Sequence, residues 1–162
     1  MSDLTAYRFR VKAAWNPRGL WRDILIGGGR SLEDLHRTIV ISFGLDPDPT
    51  HLWFFGEDQE YWNTKVKYVS PLELEEGGIP WDELMDFSTG RREERHNGAE
   101  TTISQLGLEV RDRLCYLYDY GDEWQFYMIL KEIIPDKSPG TEPEVVKSRG
   151  EKITPYNDYE EE

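Results

Sequence analysis

Apolar and polar positions alternate along several stretches of this chain. In YRFRVKAAW (7–15), Tyr7, Phe9, Val11 and Ala13 fall on one side, and Arg8, Arg10 and Lys12 on the other. That period of two predicts a strand with one buried face. NPRG (16–19) supplies turn residues, and LWRDILI (20–26) predicts a second strand, antiparallel to the first. Its two faces are not cleanly sorted, which points to a strand covered on both sides. The period then changes. In GGGRSLEDLHRTIVISFG, Leu32, Leu35, His36, Ile39, Val40 and Phe43 share one helical face. Ser31 is a natural N-cap with Asp34 three residues on, and Gly44 a natural stop, so a helix is predicted over 31–43.

Further on, HLWFFG (51–56) and KVKYV (65–69) read as short strands, separated from the helix by the loop LDPDPT (45–50). From Ser70 to Ala99 the pattern weakens. PWDELMDF (80–87) fits a second helix there, and the mixed charges of RREER (91–95) fit a solvated loop. TTISQLGL (101–108) fits a short strand and a turn of helix. RLCYLYDY (113–120) and EWQFYMILKEI (123–133) are strongly patterned strands. Together these elements predict an α+β fold: an antiparallel sheet with the 31–43 helix on one face. Residues 1–135 are expected to form a single domain. The polar, acidic segment 136–162 is expected as a tail draped over it or frayed.

The totals sharpen this picture. Six Trp, nine Tyr and six Phe in 162 residues provide ample material for one core. The formal net charge of −13 disfavours phosphate backbones and anionic membranes unless basic residues concentrate on one face. Arg8, Arg10, Lys12, Arg18 and Arg22 form the one such stripe legible in the sequence. The lone Cys115 excludes an internal disulfide and reads as a buried small hydrophobe. MSDLTAYRFR lacks a leader's apolar segment, and no run approaches the ~20 apolar residues of a membrane span. A cytoplasmic location without membrane contact is expected.

Candidate chemistry centres on LYDYGDEWQF (117–126), which places two acids and a glycine between strong strands. The structural reading is a β-hairpin turn, with Gly121 supplying a positive φ and Asp119 and Asp122 bonding the turn's own amides. The functional reading is an acidic pair able to bind a hard cation or move protons. A metal site requires more oxygen ligands than this stretch offers, so no metal or cofactor is assigned. His36 on the apolar helical face is expected to be a satisfied core histidine. A polar cluster of Arg22, His36, His51, Asp119 and Asp122 is the best site candidate, structural rather than catalytic. Trp53, Tyr118, Tyr120 and Trp124 are candidate binding aromatics. IGGGRS lacks the spacing of either phosphate loop, and Glu33 and Asp34 would repel a phosphate at the helix start.

Several of these pieces together resemble the plasmid pRiA4b ORF-3-like family. They are Trp21-Arg22, the L-x-x-L-H-x-x-I pattern from Leu32 to Ile39, His51-Leu52, and Tyr118 to Trp124 in the form Y-D-[FY]-G-D-x-W. They cover roughly the first 56 residues and 101–133. The resemblance implies a compact α+β domain of undetermined activity, with some relatives on plasmids and mobile elements carrying a transposon-passenger or resolvase-like label. Two features depart from the family. Phe126 stands where a His often follows the hairpin Trp, and the C-terminal segment lacks the frequent Cys- and Pro-rich character. Any chemistry that relatives perform through those groups is not expected here.

The leading functional expectation is a non-enzymatic module binding a protein or peptide through aromatics near the late hairpin. A second is a mobile-element accessory protein contacting DNA through the basic stripe, against which the net charge argues. A third is a metal-dependent hydrolase using Asp119, Asp122, His36 and His51.

Overall fold

The computed structural model describes residues 5–76 and 94–153. The elements are β1 (Thr5–Ala13), β2 (Trp21–Gly27), α1 (Leu32–Phe43), β3 (Trp53–Gly56), β4 (Val66–Val69), α2 (Pro71–Glu76), β5 (Glu94–Asn97), β6 (Arg113–Tyr118), β7 (Trp124–Pro135) and β8 (Glu144–Arg149). The strands form one open sheet in the order β5-β4-β3-β6-β7-β1-β2-β8. Every neighbouring pair is antiparallel except β4 and β5. The α+β expectation holds in this broad form, with the sheet mixed rather than purely antiparallel.

The helix begins and ends as its sequence directs. Ser31 accepts a hydrogen bond from the Asp34 amide, and Gly44 turns left-handed at φ 79°. Leu32, Leu35, Ile39, Val40 and Phe43 join one apolar cluster with Phe9, Val11, Ile24, Tyr116, Phe126 and Met128. Each such buried side chain contributes about 1.5–3 kcal/mol. Strand alternation divides β6 between two clusters. Leu114, Tyr116 and Tyr118 join the cluster containing α1, while Cys115 and Leu117 join Phe54 and Val69 in another. The central strands are thus covered on both sides, as β2 is.

Several details differ from the sequence reading. Residues 94–97, expected in a loop, pair parallel with β4. The chain beyond Pro135, expected as a tail, returns along β2 as the edge strand β8. The glycine run makes room for this return: a Cβ on Gly27 would lie 2.3 Å from the Pro139 carbonyl oxygen. Past β8, the Ile153 amide donates to the Phe43 carbonyl and closes the end of α1. Sequence patterning missed β8 because its six residues are all exposed, so no burial period marks it. The helix predicted at 80–87 lies outside the described residues. Among the described residues, no helix is long and apolar enough to cross a membrane.

Candidate functional site

A cleft of about 320 Å³ opens between α1, the loop after it, the start of β3 and the start of α2. Its apolar walls include Val40, Ile41, Pro47, Pro49 and Leu72. His36, His51, Trp53 and Tyr118 also line it, so the fold brings together four residues that the sequence singled out. The His36 ring stacks on Trp53 at 4.2 Å between centroids and 15° between planes. Its Nδ1 lies 2.7 Å from the Tyr116 hydroxyl. Burial, followed by the nearby charge of Arg37, pushes the His36 pKa down to about 3, so the ring is neutral. The tyrosine hydroxyl thus engages one edge of the ring, and the ring lines the cleft rather than lying wholly within the core.

His51 is braced between two acids. Its Nε2 lies 3.1 Å from Asp46 Oδ2 and its Nδ1 3.6 Å from Asp119 Oδ2. The Tyr118 hydroxyl donates to the Asp46 carbonyl, fixing the loop against β6. Asp46, Asp48 and His51 bring three ligand-type atoms within 4.8 Å of one another. These groups already bond within their own loop: Asp46 accepts from the Asp48 amide, and Asp48 from the Thr50 amide and hydroxyl. This trio shares only His51 with the set expected for a metal-dependent reaction. Asp46 and Asp48 were passed over in LDPDPT because proline-rich acidic loops read as turns.

The corner at 119–123 is mainly a turn. Asp119 Oδ1 accepts from the Gly121 amide at 3.1 Å and the Asp122 amide at 3.4 Å. Its own amide donates to the Leu52 carbonyl. The positive φ values fall on Asp119 (69°) and Glu123 (56°), not on Gly121 as the sequence reading had it. Asp tolerates the left-handed region better than most residues, so it can both make the turn and satisfy it. Asp122 is exposed.

The remaining candidates lie elsewhere. Arg22 donates to the carbonyls of Ser42 and Arg149, joining the end of α1 to β8, and its guanidinium sits 4.9 Å over Phe43. Desolvation lowers its pKa. Asp23, wholly buried, takes Arg8 and Arg10, each at 2.7 Å. Tyr120 donates to Glu73, packs against Phe54 of the other cluster and meets the ring of Trp62. Trp124 tilts against the half-exposed Trp15. The five polar candidates therefore divide: His36 and His51 line the cleft, Asp119 and Asp122 sit on the corner with Asp119 reaching His51, and Arg22 lies apart. Lys12 lies among Arg10, Lys131, Arg113 and Arg18, and its pKa is lowered first by desolvation and then by these charges.

No curated protein matches the chain in sequence. Among solved structures, it is similar to the crystal structure of a protein of unknown function from Methanosarcina mazei Go1. The TM-score is 0.66 at 17% identity, over 97% of this chain and 78% of that one. At that identity the likeness establishes the fold alone. The sequence marks now have physical roles: Arg22 closes the helix, His36 and His51 frame the cleft, and Tyr118 and Asp119 lock the corner. They sit within a match to the family model for the plasmid pRiA4b ORF-3-like protein that spans residues 5–161, and the chain belongs to that family.

Proposed function

We propose that this protein is a non-enzymatic binding module and that the cleft beside α1 receives a short stretch of peptide. The volume falls at the lower end of small-ligand sites, which run to about 300–1,000 Å³. It is enough for an apolar side chain and its flanking backbone. The walls are mostly apolar with a few polar groups, the usual make-up of such sites. The groups that would move protons are otherwise engaged: His36 is half-buried and neutral, His51 is held between two acids, and Asp119 serves its turn.

The observation that carries this reading is Ile41. It is 65% exposed at the lip of the cleft, on a helix whose other large aliphatic residues are buried. An exposed apolar side chain beside a concave apolar wall is a natural docking feature. The test is selection from a displayed peptide library against the wild type and Ile41→Glu. The wild type is expected to enrich sequences with a shared apolar anchor. Ile41→Glu is expected to bind them at least about tenfold more weakly, a cost of about 1.4 kcal/mol, with an unchanged melting temperature. No enrichment, or equal binding by both proteins, would remove the proposal.

A second reading has specific support. The positive charge around Lys12 and the stacking of Arg10 over Trp21 at 3.8 Å give one sheet face the mixture of cations and rings that single-stranded nucleic acids use. Two of its arginines already serve Asp23, which lowers its net charge. A gel shift at about 50 mM salt decides, since phosphate affinity is greatest there. The metal-dependent reading now rests on Asp46, Asp48 and His51. Elemental analysis of protein purified without chelator tests it.

A further inference from the structure

His36 has two ring nitrogens, and the core accounts for one of them. Nδ1 faces the Tyr116 hydroxyl at 2.7 Å. Tyr116 is fully buried, with the rings of Phe55 and Phe126 beside it. Among the described residues, its hydroxyl has this one hydrogen-bond partner. A buried O–H with a single available acceptor donates to it. If the imidazole proton sat on Nδ1 instead, the tyrosine's own hydrogen would be stranded among apolar rings, a buried group left unpaired. The bond therefore runs from the Tyr116 hydroxyl to Nδ1, and the proton of the neutral imidazole resides on Nε2.

We infer that His36 is the specificity-determining donor of the cleft, presenting Nε2–H to a neutral carbonyl oxygen of the bound ligand. Tyr116 is its positioning residue, fixing the tautomer from the core side, while the stack on Trp53 fixes the ring plane. This rests on the cleft being a peptide site and names the group that it reads there. The surroundings choose a neutral acceptor over an anion. Glu33 and Asp48 line the same cleft, with Asp46 in the adjoining loop. Among the described residues, the one arginine lining it, Arg37, is paired with Glu33 and Asp34. A carboxylate or phosphate entering here meets more negative than free positive charge, whereas an amide carbonyl meets a fixed donor between apolar walls.

The test uses the intact chain with N-acetyl-L-leucine methylamide as the probe. A long-range proton–nitrogen correlation spectrum of the wild type is expected to show His36 protonated on Nε2 and bare on Nδ1. Titration is expected to move the Nε2 resonance saturably, with acetate at least tenfold weaker. Tyr116→Phe, which keeps the ring but removes the donor, is expected to mix the tautomers and weaken the probe three- to tenfold. A wild-type proton on Nδ1 overturns the inference. So does a probe that shifts Ile41 and Trp53 but leaves His36 Nε2 unmoved, although the cleft would then stand as a binding site. A probe that perturbs nothing in the cleft removes both.

Discussion

The corner at 119–123 and the cleft beside α1 meet at His51 and Tyr118, yet they use their polar groups in opposite ways. In the corner, Asp119 directs one oxygen to two backbone amides and the other toward His51. In the cleft, the His36 ring is anchored on one edge by Tyr116 and lines the cavity. The corner is dense in conspicuous residues and inwardly satisfied. The cleft is made of ordinary ones from four separate segments and retains a donor. On the proposed reading, a concentration of acids and aromatics in sequence is a poor guide to a binding site, because a tight turn needs the same residues for its own backbone.

Breaking the cleft should cost most. Trp53 is buried between the His36 stack and the Phe55 edge, and Gly98 packs close to its ring. Trp53→Ala is expected to destabilise by about 3–5 kcal/mol in urea melts. A loss below about 1 kcal/mol would mean that the aromatic floor is dispensable.

Acid should act next, again through the cleft. The folded His36 pKa of about 3 lies below the ordinary histidine value of 6.5. Between those values the unfolded chain binds the extra proton, so this contribution is complete above about pH 6.5 and is lost as pH falls toward 3. Near pH 4.5 the wild type should have lost about 3 kcal/mol that His36→Gln does not lose. Parallel stability–pH curves for the two proteins would contradict the neutral ring.

The corner should respond more weakly, and in a way that separates its residues. Asp119→Ala removes the acceptor of two turn amides at a left-handed position, and should cost about 2 kcal/mol. Asp119→Asn keeps both an acceptor and a tolerance of that backbone, and should cost less than about 1 kcal/mol. Gly121→Ala should fall within about 0.5 kcal/mol, since the added Cβ meets only Asp119 Oδ1, at 3.5 Å. A large penalty at 121 would restore the turn in which that glycine is essential.

What the sequence made legible follows from the same contrast. α1 was readable because its N-cap, apolar face and terminal glycine are all local. β1, β2, β6 and β7 were readable because each carries a burial period, or a continuous apolar run where both faces are covered. β8 and the parallel strand β5 were not, since an exposed or half-exposed edge strand imposes little pattern on its residues. At the site, His36, His51, Trp53 and Tyr118 were singled out one by one. Nothing local indicated that Tyr116 would partner His36 across 80 positions, or that Asp46, and not Asp122, would hold His51. A buried arginine reads in the sequence as a possible partner for His36, whereas strand alternation directs Arg22 to the end of α1 and the adjacent edge strand.

The most direct test of the division between corner and cleft is an amide shift map of the labelled protein titrated with N-acetyl-L-leucine methylamide. Saturable shifts at His36, Ile41 and Trp53, with Gly121 and Asp122 unmoved, are the predicted result. Shifts centred on Gly121 and Asp122, with His36 and Ile41 silent, would contradict it.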